Sequence, residues 1–132
     1  MNDRTTLHNI TELKDNEIFV FGSNTAGKHG KGAAKQALTW GAKWNQGNGL
    51  QGKTYGIPTK DSNIRTLPID KIKPFVEQFI QFTKDNPTMI FLVTEIGCGL
   101  AGYKPKDIAP LFKGVENLEN VKLSERFWRK LK

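Results

Sequence analysis

Residues 91–102 read FLVTEIGCGLAG, an apolar segment that runs straight into six residues satisfying the pattern G-x-G-x-x-G. The apolar part belongs to MIFLVTEI, 89–96, which stays apolar until Thr94. Such a run is expected of a central parallel strand covered on both faces. The glycines then raise a question of meaning. A dinucleotide-binding fingerprint comes early in its fold, opens a long helix and is followed about 20 residues later by an acidic ribose ligand. Here the motif comes late and Pro105 stands where that helix should be under way. The fingerprint is present without its context, so the glycines need another explanation.

Upstream, EIFVF at 17–21 is a second buried-strand candidate, followed by the loop GSNTAGKHGKG and a helix over 32–42 that places Ala33, Ala34, Ala37, Leu38 and Trp40 on one side. NQGNGLQG, 45–52, reads as a flexible loop, and KTYGIPTK, 53–60, as a strand stopped by Pro58. Ile69, Ile72, Phe75, Val76, Phe79, Ile80 and Thr83 mark the apolar face of a helix over 68–84, with Pro74 near its first turn. KPKDIAPLF begins a short helix at about 106, NVKL at 120–123 is a last strand, and SERFWRKL a terminal helix. Strands alternating with helices predict one α/β domain over 1–132, a three-layer α/β/α fold with a mostly parallel mixed sheet. Ligands of such sheets sit at the carboxyl ends of the strands. Both glycine-rich loops fall there.

Cys98 is the only cysteine, which excludes an internal disulfide, and with two histidines, His8 and His29, no metal or cofactor is expected. No stretch reaches the roughly 18 apolar residues of a membrane helix, and the N-terminus does not resemble a signal peptide. The expectation is a cytoplasmic protein without a membrane partner, and a monomer. A formal net charge of +7 favours an anionic partner. The six lysines between Gly22 and Lys60 (Lys28, Lys31, Lys35, Lys43, Lys53, Lys60) have no Asp or Glu among them.

Gly22-Ser-Asn-Thr-Ala-Gly27-Lys28-His29 falls one residue short of the P-loop pattern, because His29 stands where the Mg²⁺-binding hydroxyl belongs. Nucleoside triphosphate hydrolysis is therefore set aside. What both loops offer is a set of backbone amides unobstructed by side chains, at strand ends beside a lysine-rich segment, which suits a diphosphate. The alternative is that Gly30, Gly32, Gly97, Gly99 and Gly102 only make tight turns.

IGCGLAGYKPKDIA, 96–109, resembles the second ligand loop of macro domains, which bind ADP-ribose, and IFVFGSNTAGKHGKGAA, 18–34, resembles the first. The resemblance spans about residues 17–123 and is nearest to short stand-alone macro-domain-like proteins of bacteria and phages. It implies ADP-ribose or a related nucleotide as ligand. Asn24 would bond the distal ribose, and the amides of Gly22, Ser23, Gly30, Lys31, Gly32 and Ala33, with those of Gly97, Cys98, Gly99, Leu100, Ala101 and Gly102, would wrap the phosphates. Tyr103 would flank the distal ribose or the phosphates. Asn24 as a turn residue and Tyr103 as a packed one are the plainer readings.

Within the family, the branch of the terminal ADP-ribose glycohydrolase and of the antitoxin that removes ADP-ribose from DNA carries a lysine at a strand end and an aspartate in its second loop. Lys60 matches that lysine, which implies a hydrolase acting on ADP-ribosylated DNA or protein, with Lys60 and Asn24 catalytic. Ala101 stands at the aspartate position, leaving Asp61, Glu95 or Asp107 as substitutes. Lys60 as a phosphate clamp, Cys98 as a buried thiol and His29 as an exposed loop residue are the other readings. Two further functions stay open: a non-catalytic binder of a nucleotide signal, and a basic nucleic-acid-binding protein. Trp40, Trp44 and Trp128 are expected to close the core rather than to serve the latter.

Overall fold

The computed structural model describes residues 4–7 and 9–131; His8 lies outside them. Five strands form one sheet: β1 (Glu17–Asn24), β2 (Gly49–Gln51), β3 (Thr54–Lys60), β4 (Ile90–Val93) and β5 (Val121–Lys122). Their order across the sheet is β2-β3-β1-β4-β5. β1 pairs in parallel with β3 and β4, β4 with β5 likewise, and only β2 runs antiparallel, against β3. The helices are α1 (Gly32–Ala37), α2 (Ile69–Asp85), α3 (Pro105–Ile108) and α4 (Glu125–Lys130), with 3-10 turns at Leu38–Trp40 and Ala109–Val115. The expected α/β class and mostly parallel mixed sheet are observed.

Alternation along β1 shows why both faces are covered, since successive side chains of a strand point to opposite sides. Ile18 and Val20 join Ile72, Val76 and Phe79 of α2 and Phe112 and Phe127 in the larger core, whereas Phe19 and Phe21 join Ala34 and Ala37 of α1 in the smaller. β4 divides the same way, with Phe91 and Val93 on the α2 side and Leu92 on the α1 side. Phe79 packs edge-on to Phe91 at 5.6 Å and to Tyr55 at 5.1 Å. Pairs of this geometry add about 0.5–1.5 kcal/mol beyond the area they bury.

Several element boundaries differ from the sequence reading for identifiable reasons. β4 ends at Val93 rather than 96: the Thr94 amide makes the last ladder bond, to the Val20 carbonyl at 3.1 Å, and the Ile96 amide then donates back to the Thr94 carbonyl at 2.8 Å, turning the chain off the sheet. α1 stops at Ala37, tightens into a 3-10 turn and is closed by Gly41 at φ 106°. Residues 49–51, read as flexible loop, form β2. Pro58 does not stop β3: β2 pairs only as far as Gly56, so Pro58 has a neighbouring strand on the β1 side alone. Pro74 falls in the second turn of α2, not its first, and costs the helix one backbone bond. Among the described residues no helix is long and apolar enough to cross a membrane.

Trp40 packs on Phe19 with ring centroids 4.9 Å apart, and the Trp128 indole donates to the Arg4 carbonyl at 2.8 Å. Those two tryptophans are half-buried against the cores, as expected. Trp44 is not, being 54% exposed.

Candidate functional site

The carboxyl ends of the parallel strands open into a cavity of about 790 Å³. Its floor and walls come from the segments the glycines free: Gly22, Ser23, Asn24, Gly30, Lys31, Gly32 and Ala33 on the first loop, and Gly97, Gly99, Leu100 and Ala101 on the second. Lys28 and Lys60 line it as well. Among the described residues, four of the five large apolar side chains that are exposed (Leu7, Trp44, Ile64 and Leu100) lie on this cavity, and only Leu50 does not. Apolar surface concentrated in one concavity is the usual character of small-molecule sites.

Three segments are tied together around Lys60. The Thr25 amide donates to the Lys60 carbonyl at 3.0 Å, fixing the start of the first loop to the end of β3. Lys60 also pairs across a single antiparallel bridge with Thr66, and the Thr66 hydroxyl donates to the Ala101 carbonyl at 2.8 Å. The loop between, 61–66, is held by the Asp61 carboxylate, which accepts from the Asn63 and Arg65 amides at 2.8 and 3.0 Å. Ile64 is carried there at φ 62°, a conformation costly for a β-branched residue and characteristic of functional sites.

Some expected site residues act otherwise. The Asn24 side chain lines the cavity and also ties its own loop, using one of its two amide hydrogens and one of its two oxygen lone pairs: it accepts from the Lys28 amide at 2.9 Å and donates to the Lys28 carbonyl at 2.8 Å. It is the turn residue that shapes the first loop. Cys98, Gly102 and Tyr103 do not line the cavity. The Tyr103 amide bonds back to the Gly97 carbonyl at 2.8 Å, which turns the side chain inward, where its hydroxyl donates to the Leu67 carbonyl at 2.7 Å. Tyr103 thus braces the second loop against the segment before α2.

Of the three carboxylates expected as substitutes near Lys60, Asp61 holds its own loop and Asp107 accepts from the Lys104 amide at 3.0 Å at the start of α3. Glu95 is the only carboxylate among the described lining residues. It is already engaged by Arg126 and by the Ser124 hydroxyl, at 2.7 Å in the latter case. Among the described residues no three His, Cys, Asp or Glu gather as a metal site.

His29, read as an exposed loop residue, is fully buried. Its Nε2 faces the Gln46 carbonyl at 3.0 Å and Gln51 Oε1 at 3.2 Å, both acceptors, so that nitrogen carries the hydrogen. Gln51, also buried, accepts from the Lys43 amide at 2.7 Å and so organises the 43–49 loop around the imidazole. Nothing in the local sequence signals this, because the burial is created by a loop more than a dozen residues away.

The Cys98 thiol is half-buried and pushed up to about 11 by burial first, then by the Glu95 carboxylate. Against an ordinary value of 9.0 this leaves about a hundredfold less thiolate at neutral pH. Cys98 is therefore expected to alkylate with iodoacetamide about a hundredfold more slowly than a free thiol at pH 7.5. Its rate should keep rising to a plateau near pH 11, and a plateau near pH 8 would contradict the burial assigned to it.

Compared with models of known protein families, with curated proteins and with solved structures, the chain matches none.

Proposed function

We propose that the cleft binds ADP-ribose or a related ADP-ribosyl compound, and that Lys60 serves to release it from a modified macromolecule. The observation that carries this reading is that both glycine-rich loops and Lys60 line one cavity at the carboxyl ends of the strands. Its size lies in the upper part of the range of about 300–1,000 Å³ found for small-molecule sites. The diphosphate rests on the amides of Gly30 to Ala33 and of Gly97 to Ala101, with Lys28 and Lys31 adding positive charge.

In the hydrolytic step, Lys60 Nζ attacks the anomeric carbon. A C–N bond forms as the bond to the modified group breaks, and the departing group takes that electron pair and a proton. Water then displaces the amine and leaves a hydroxyl on the ribose. Water must be activated for that second half, and Ala101 supplies no base. Glu95, the one carboxylate among the described lining residues, is engaged by Arg126 and Ser124, which favours a second reading, a binder that catalyses nothing.

Calorimetry with ADP-ribose is expected to give micromolar or tighter binding; no heat would sink the proposal in both forms. Incubation with ADP-ribosylated DNA and protein then separates them. Release of ADP-ribose that falls at least about a hundredfold in Lys60→Ala, in line with loss of a nucleophile, supports catalysis, whereas no release leaves the binder.

A further inference from the structure

Trp44 is the largest side chain that the fold leaves uncovered on the cavity. It is more than half exposed, and it is not simply stranded on the surface. Its indole lies beside the buried His29 ring, with centroids 6.0 Å apart and planes inclined by 33°. His29 is held in turn by Gln46 and Gln51 and packs edge-on against Phe21 of β1 at 5.3 Å. The indole is therefore anchored beside His29 while more than half of the residue stays open to the cavity and solvent.

The position is as informative as the exposure. The 43–48 loop sits over β1 and β3: the Ser23 hydroxyl donates to the Gly47 carbonyl, and Gly47 lies directly against Gly56. Trp44 thus stands on the β3 side of the cavity, with Lys60, whereas Glu95 and Ser124 mark the β4–β5 side. Lys28 and Lys31 of the first loop line the same cavity as Trp44, in the stretch of chain that holds no carboxylate. An open aromatic face with flanking cations is the pairing that binds single-stranded nucleic acid, where bases stack on the ring and lysines meet the phosphates. A duplex presents no free base face to stack.

We infer that Trp44 is a stacking platform for an unpaired nucleobase, so that the Lys60 side of the cleft takes a single-stranded nucleic acid with its phosphates on Lys28 and Lys31. A planar group on a protein or an anionic membrane surface would use one of these features and not both. The inference goes beyond the ADP-ribose reading and does not depend on it.

The probe is a fluorescein-labelled ten-nucleotide oligothymidylate, followed by fluorescence anisotropy at several salt concentrations, with ADP-ribose calorimetry run beside it. Trp44→Ala should weaken oligonucleotide binding by roughly tenfold to a hundredfold, and Trp44→Tyr should restore most of it by keeping a ring. Binding should also fall with salt. The second basic groove, lined by Lys104, Lys106, Arg126, Arg129 and Lys130 between α3 and α4, provides the control.

If the double variant Lys106→Glu with Lys130→Glu removes oligonucleotide binding while Trp44→Ala does not, the strand lies in that groove and the inference is overturned. Absence of any anisotropy change with the wild-type protein at low salt overturns it too. So does a Trp44→Ala variant that loses ADP-ribose and oligonucleotide equally, since the ring would then belong to the ADP-ribose site. Trp44-dependent oligonucleotide binding without ADP-ribose binding supports the inference and defeats only the earlier reading.

Discussion

Gly99→Glu is expected to weaken ADP-ribose binding by about a hundredfold or more while melting at the wild-type temperature. Gly99 lines the cavity, and a Cβ placed on it meets nothing within 4 Å. It lies outside the left-handed region, so no backbone strain accompanies a side chain there. The new carboxylate would enter the space assigned to the diphosphate. Like charges about 4 Å apart near a protein surface repel by about 4 kcal/mol before salt screening. Even with a third of that screened, the loss is about a hundredfold in affinity. Gly99→Ala adds a methyl group without charge and should bind nearly as wild type. Gly97 makes the contrast: it has φ 74°, and a Cβ would lie 3.0 Å from Ile108 Cδ1, so substitution there acts on the fold. Calorimetry and a thermal melt on the same preparations decide the matter. Undiminished binding by Gly99→Glu would falsify the assignment of the phosphates to the second loop.

The sheet was legible in the sequence where burial is continuous. β1 and β4 announce themselves as short apolar runs ended by polar or glycine residues, and α2 by apolar residues three and four apart. β2 was not legible, because Gly49-Leu-Gln51 carries neither alternation nor β-branched residues and is held by its pairing with β3. The cavity followed from the two glycine loops, since strand ends in a parallel sheet are where loops converge. The roles of individual polar groups did not follow. Asn24 and Tyr103 could each face a ligand or brace a loop: Asn24 closes its own loop on Lys28 while lining the cavity, and for Tyr103 only the tertiary position of Leu67 shows the brace. The tryptophans divide on the same principle. Trp40 and Trp128 have apolar neighbours along their own helical turns, whereas Trp44 lies beyond Gly41 in a loop whose course is set by the buried pair His29 and Gln51.

Gly47→Ala is expected to cost about 3 kcal/mol or more of stability, at the upper end for a single substitution, and to lower the melting temperature by about 10 °C for a chain of this size. Gly47 is buried, and a Cβ on it would lie 1.9 Å from the Asn24 carbonyl oxygen and 2.9 Å from the carbonyl carbon. Both atoms are backbone, so no rotamer change relieves the clash. The same Asn24 oxygen accepts from the Gly27 amide at 3.0 Å, and the Asn45 amide donates to the Gly27 carbonyl at 3.0 Å. Forcing the 43–48 loop away from β1 would therefore loosen the first loop and shift Trp44, so ADP-ribose and oligonucleotide affinity should fall together. Gly27→Ala attacks the same joint from the other side, because its Cβ would lie 2.2 Å from the Gln46 amide nitrogen at φ 74°. Once either variant has opened the joint, the second clash has little left to break. The double variant should thus be destabilised by clearly less than the sum of the two. Gly30→Ala, with ordinary φ and nothing within 4 Å, should leave stability unchanged or raise it by about 0.4–1 kcal/mol through the unfolded chain. Urea unfolding of the four proteins measures this coupling. Strict additivity of Gly27→Ala and Gly47→Ala would mean that the two loops are held independently, and that Trp44 is not positioned through the loop that binds the phosphates.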